Sequence, residues 1–145
     1  MIYIFSNLAA FGVVDVISYA AGRENINDYK GLYRTNPFLS WVLALAMFSL
    51  AGIPPTAGFF GKLMLLTAGS NSGNFWFILI AGLNMVISLY YYLIVVRAIF
   101  MDKNENPIAP VKISAMAKYG MIICAAGIIL VGLIGKIFEY IQSLI

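Results

Sequence analysis

The sequence predicts an all-α, polytopic membrane protein with four transmembrane helices, the second of them broken at Gly52–Pro55. Three observations carry this expectation. The 145 residues are 62% hydrophobic and only 10% charged, against about 25% charged in an ordinary soluble domain. Apolar runs long enough to cross a hydrocarbon core of about 30 Å recur along the chain. Short polar connections rich in Gly, Asn and Pro separate them.

The first span covers residues 2–20, an apolar run interrupted by Asn7, Asp15 and a few serines. Residues 21–37 are polar and turn-rich, with Gly22, Asn25, Asn27, Gly31, Asn36 and Pro37. The second span runs from about 38 to 68, roughly 46 Å if wholly helical. That length exceeds the hydrocarbon core, and a helix that unwinds at Gly52–Pro55 and then resumes accounts for the excess. Prolines remove backbone donors, and the freed carbonyls need other partners inside a membrane. Residues 69–74, Gly-Ser-Asn-Ser-Gly-Asn, form a tight loop. The third span is about 75–99, with Phe75, Trp76 and Phe77 at one interface and Tyr90, Tyr91 and Tyr92 towards the other. Residues 101–114 form a hydrophilic loop with Pro107 and Pro110, and the fourth span is about 118–138.

Composition excludes several classes. The chain has no His and a single cysteine, Cys124. This rules out an intrachain disulfide and a Cys/His metal site, and Cys124 reads as a small buried hydrophobe. The net charge of +3 and the isoelectric point near 9.0 do not signal nucleic acid. The basic residues flank apolar spans, where topology and anionic lipid headgroups account for them. No phosphate loop, paired carboxylates or nucleophile constellation is present in the sequence, and no cofactor is expected. The N-terminus lacks the basic region and cleavage site of a signal peptide. It opens directly in apolar sequence, as a piece of something larger would.

Charge bias sets the orientation. Arg23, Lys30 and Arg34 lie in the 21–37 loop, and Arg97, Lys103, Lys112 and Lys118 follow the third span. The 69–74 loop carries no basic residue. Both basic loops fall on one side, expected to be cytoplasmic, and both chain ends then face the periplasm. The second span runs outward, so Lys62 lies beyond the break in the outer half.

Lys62 is the foremost chemical candidate. A charged lysine near a bilayer centre costs about 2.5–3.5 kcal/mol on insertion scales. A snorkelling lysine is one reading, since the end of the span is roughly 9 Å away. The neighbouring Gly52, Pro54 and Pro55 favour another. Unwound backbone at membrane depth needs protein or a water-filled cavity around it, and Gly58 and Gly61 admit close helix approach. Lys62 would then face a hydrated, protein-lined space and exchange protons there. Asp15 shares a face with Asn7, Phe11 and Ser18. It reads chiefly as an interfacial carboxylate paired with a basic residue such as Arg23, and secondarily as part of a polar pathway. Asn84, Ser88 and Tyr91 recur at helical spacing, suited to interhelical hydrogen bonds or to that same pathway. Lys136 and Glu139 are placed to pair at the last helix end.

The segment Ser49-Leu-Ala-Gly-Ile-Pro-Pro-Thr-Ala-Gly-Phe-Phe-Gly-Lys62, with Ile87-Ser-Leu-Tyr-Tyr-Tyr-Leu93 after it, resembles the subunit N family of bacterial NADH-quinone oxidoreductase (respiratory complex I). These are antiporter-like, proton-translocating membrane subunits. The resemblance covers essentially the whole chain, as the C-terminal third of a fourteen-helix protein. Asn7-Leu-Ala-Ala-Phe-Gly-Val-Val14 is similar to the family's eleventh helix, the broken span to its twelfth, and the last two spans to its thirteenth and fourteenth. It implies that Lys62 is a proton-transfer residue on the outer part of the path, with the first half of that path on helices absent here. It also implies a role in proton translocation coupled to quinone reduction, other complex I membrane subunits as partners, and quinone handled elsewhere. The implied location is the bacterial inner membrane, and the 145 residues are expected to be a fragment or a truncated product. Two other readings remain beside it: a subunit of a multi-subunit Na⁺/H⁺ antiporter, which carries similar runs, or a structural membrane subunit anchored by Lys62. A stand-alone four-helix exporter would need an embedded carboxylate, for which Asp15 is the candidate.

Overall fold

The computed structural model describes residues 2–23, 25–54, 56–71, 73 and 75–142, with side chains for all of these except 2, 57, 71 and 135–142. Pro55 and the side chains of the expected Lys136–Glu139 pair lie outside the described residues. The described chain is helical, with no strand among its residues. Its helices are α1 (Ile2–Ala21), α2 (Leu32–Thr35), α3 (Pro37–Ala51), α4 (Ala57–Asn71), α5 (Phe75–Phe100) and α6 (Ala115–Gln142), with a 3₁₀ turn at Ile26–Tyr29 before α2.

Among the described residues, three segments are helical, long and apolar enough to cross a membrane: Tyr3–Ala21, Phe75–Phe100 and Ala115–Ile134. The helix Pro37–Ala51 is apolar but shorter. The stretch 38–68 read as one span thus comprises α3 and most of α4, separated by residues 52–56.

Local chemistry explains these limits. Pro37 opens α3 at a position where its missing N–H would have had no partner. Asn36 precedes it, and its carbonyl accepts both the amide of Ser40 at 3.1 Å and the Ser40 hydroxyl at 2.9 Å. At the other end, Gly52 adopts φ 82°, ψ 44°, a left-handed conformation that glycine enters without a Cβ clash. The amides of Gly52 and Ile53 turn back to the carbonyls of Ser49 and Phe48 at 3.1 and 3.0 Å. This is the Schellman pattern of a terminated helix, with Pro54 following as is common after such an end.

Helix α3 is the hub. It packs against α1, α4, α5 and α6, and Leu39, Val42, Leu43, Ala44, Ala46 and Ala51 are buried on it. Ala9, Val13 and Ile17 of α1, Ile99 of α5 and Met121 and Ile128 of α6 complete the apolar core. Helix α5 lies at the outside, with only Ala98 and Ile99 buried. Its exposed apolar face is what a lipid or protein neighbour in a membrane would cover.

The two basic connections meet at one end of the bundle. The buried Asn36 amide donates to the carbonyl of Ala109 at 3.1 Å, and its side-chain oxygen accepts the amide of Val111 at 2.8 Å. Gly31 donates to the Ala98 carbonyl at 3.0 Å, and Arg23 to the Asn106 carbonyl at 2.9 Å. Arg97 and Asp102 approach to 3.7 Å. An aromatic cluster sits at the same end: Tyr33 and Phe100 have ring centroids 5.0 Å apart, and Trp41 and Phe100 5.3 Å.

Candidate functional site

The site forms where α3 ends and α4 begins. After the Schellman turn, the Ala51 carbonyl has no backbone N–H ahead of it in its own helix. Lys62 supplies the partner. Its Nζ donates to the Ala51 oxygen at 2.8 Å. The side chain reaches there by lying across Gly52, where an added Cβ would stand 2.8 Å from Lys62 Cδ. The C-terminal end of a helix carries partial negative charge, so an ammonium is favoured there by about 0.3–1 kcal/mol or somewhat more when partly buried.

Two further contacts shape the junction. Gly58 of α4 lies directly against the Ser49 carbonyl, with no space for a Cβ between them. The Ser49 hydroxyl accepts a hydrogen bond at 2.7 Å from the Ser6 hydroxyl of α1, and both residues are buried. Thr56, also buried, folds its hydroxyl onto the Ile53 carbonyl at 2.7 Å and offers its own carbonyl to the Phe59 amide at 3.2 Å. The polar groups named here thus find their partners within the protein.

Lys62 lines a cleft of about 190 Å³ together with Ala51, Gly52, Phe59, Leu63 and Leu66, facing Met85, Val86 and Leu89 of α5. Apart from the lysine and the backbone at 51–52, this lining is apolar, whereas a hydrated space was expected. Asn84 and Ser88 are absent from it. α5 turns Met85, Val86 and Leu89 towards the cleft, leaving Asn84 exposed and Ser88 half-buried on other faces. Asp15 lies in a separate shallow groove along α1 with Leu8, Phe11, Gly12, Val14 and Ser18. The expected pairing of Asp15 with Arg23 does not form: Asp15 lies in the α1 groove, and the Arg23 side chain reaches the Asn106 carbonyl instead. No group of three or more His, Cys, Asp or Glu residues able to hold a metal occurs among the described residues.

Sequence reading singled out Lys62 and Gly52, which meet at this junction, but assigned no part to Ser6, Ser49 or the Ala51 carbonyl. A serine in an apolar helix has no spacing signal that names a partner 43 residues away. A backbone acceptor leaves no side-chain signal at all.

Comparison with known proteins agrees with this architecture. Residues 1–88 match the family model described as NADH:quinone oxidoreductase/Mrp antiporter, TM. The chain is 43% identical over 99% of its length to the NADH-quinone oxidoreductase subunit N of Phocaeicola vulgatus, of which it covers 30%. It is 40% identical over 92% of its length to the subunit N of Desulfitobacterium hafniense, of which it covers 27%. The chain thus spans about 30% of the length of such relatives. In three dimensions it is similar to a chain of respiratory complex I from Thermus thermophilus solved with bound aureothin. The TM-score is 0.75 at 27% identity, covering 93% of this chain and 32% of that one. With more than half of its residues inside the family model, this multi-pass membrane chain belongs to the NADH:quinone oxidoreductase/Mrp antiporter transmembrane family.

Proposed function

We propose that residues 1–145 form the C-terminal part of an antiporter-like membrane subunit of NADH-quinone oxidoreductase, and that they take part in proton translocation coupled to quinone reduction. In this reading α3 and α4 are two halves of one interrupted span, the second of four, and Lys62 is the proton-transfer residue of its outer half. The observation that carries it is Lys62 Nζ held on the Ala51 carbonyl at the interruption. An ammonium at membrane depth, beside backbone freed from helical bonding, is the arrangement expected of an ion or proton station. The names and coverage of the relatives support the choice of complex, and favour it over a Na⁺/H⁺ antiporter subunit.

The redox steps belong to other subunits. Other membrane subunits of the complex are this chain's partners, and the protein sits in the bacterial inner membrane with both ends of the chain on the periplasmic side. Asp15, Asn84 and Ser88 contribute, if to any path, away from the Lys62 cleft.

The Lys62–Ala51 bond also favours a second reading, in which Lys62 only closes a helix end in a structural subunit. Lys62→Ala in the assembled complex separates the two. Proton pumping per electron pair, read from ΔpH-dye quenching normalised to quinone turnover in membrane vesicles, should fall towards the uncoupled level. Pumping and turnover at wild-type values would leave only the structural reading.

A further inference from the structure

We infer that Ser6 and Ser49 are positioning residues for Lys62: their hydroxyl–hydroxyl bond fixes the last turn of α3, and with it the Ala51 carbonyl that holds the lysine. The inference rests on the reading of Lys62 as a proton-transfer residue.

Ser6 and Ser49 are 1% and 0% exposed. A serine inside a membrane helix can satisfy its hydroxyl on the carbonyl one turn back in its own helix. These two instead bond to each other across the α1–α3 interface at 2.7 Å. The surrounding contacts, from Ala9, Ala10 and Val13 on α1 to Leu43 and Ala46 on α3, are apolar. Such contacts are non-directional and tolerate small rotations, whereas a hydrogen bond fails when its geometry is lost.

The last turn of a helix is its least constrained. Here the Schellman bonds fix the internal shape of that turn, but they do not fix its rotation against α1. Ser49 lies two residues before Ala51, in the same turn, so a displacement of one moves the other. The Lys62–Ala51 bond is 2.8 Å long, and an outward shift of about 1 Å ends it. α1 also reaches the donor side. Tyr3, nearly one turn before Ser6, stands 3.9 Å from where a Cβ of Gly61 would be, next to Lys62. One face of α1 therefore touches both the helix that carries the acceptor and the helix that carries the donor.

The test uses Ser6→Ala, Ser49→Ala and the double variant in the whole complex, with assembled complex measured on native gels. Proton pumping per electron pair is read in vesicles at equal assembled amount. All three variants lack the same bond, so pumping per electron pair should fall by a similar factor in each, about threefold. Ser6→Thr keeps the hydroxyl and should restore it. A purely structural pair behaves differently. Each single variant then strands one buried hydroxyl and lowers assembly, while the double variant removes both and recovers. That pattern, with pumping per electron pair at the wild-type value, would overturn the inference while leaving Lys62 untouched. A wild-type pumping ratio in Lys62→Ala vesicles would overturn the reading of Lys62 itself, and the inference with it.

Discussion

The ammonium of Lys62 closes the helix that ends at Ala51, with Nζ 2.8 Å from the carbonyl oxygen and the side-chain stem laid over Gly52. Donor and acceptor belong to different helices, so the bond spans the junction of α3 and α4. Substitutions around it should act through geometry that can be named in advance.

Gly52→Ala meets two obstacles. The backbone sits at φ 82°, where an L-residue with a Cβ is disfavoured by about 1–2 kcal/mol. The new methyl would also stand 2.8 Å from Lys62 Cδ and displace the stem. Assembled complex and proton pumping per electron pair should both fall. A variant that pumps normally at normal abundance would show that the lysine does not need this path across the turn.

Gly58 and Gly61 sit one turn apart and should differ sharply. A methyl at Gly58 runs into the Ser49 carbonyl, which is backbone and cannot rotate away, whereas at Gly61 the nearest atoms, those of the Tyr3 ring, are 3.9 Å off. Gly58→Ala should strongly reduce assembled complex on native gels, by more than the 1–3 kcal/mol of ordinary overpacking. Gly61→Ala should stay within about 0.5 kcal/mol of wild type. Equal behaviour of the two would contradict the close crossing.

Asn36 ties the segment after α5 to the start of α3 through bonds to Ala109 and Val111. Asn36→Ala removes these part-buried bonds and should destabilise this end by about 0.5–1.5 kcal/mol per bond lost. Faster tryptic cleavage at the exposed Lys103 and Lys112 in the variant is the expected readout. Unchanged cleavage would mean that the segment is held by other contacts.

Labelling tests the orientation. In a Cys124→Ser background, Asn104→Cys lies at the basic end of the bundle and Ser70→Cys near the turn between α4 and α5. A membrane-impermeant maleimide should modify the first in inverted vesicles and the second in spheroplasts. Labelling of both from the same side would refute the four-span arrangement.

Helix limits were legible because Pro37, Gly52 and Asn36 act on the backbone within a turn of where they stand, so their effect is local and readable. The basic loops stand out in the same local way, since Arg and Lys positions are read without knowledge of packing, and the side of the membrane they face is what the labelling experiment tests. What could not be read were the partners. Arg23 turned from Asp15 to a carbonyl in another loop, because backbone acceptors are everywhere and only the fold selects one. Asn84 and Ser88 had helical spacing, but spacing defines a face without saying which helix, if any, it meets. The Ser6–Ser49 bond was hidden for the same reason.

The prolines announce the interruption between α3 and α4, but the missing methyl at residue 58 is what allows α4 to lie against the Ser49 carbonyl. With backbone on backbone there, the two segments have no room to approach further and no side chain between them to rearrange. The contact acts as a bearing surface: it blocks closer approach, so any relative movement of the two segments runs along it or away from it, and the lysine that bridges them just beyond follows whichever occurs.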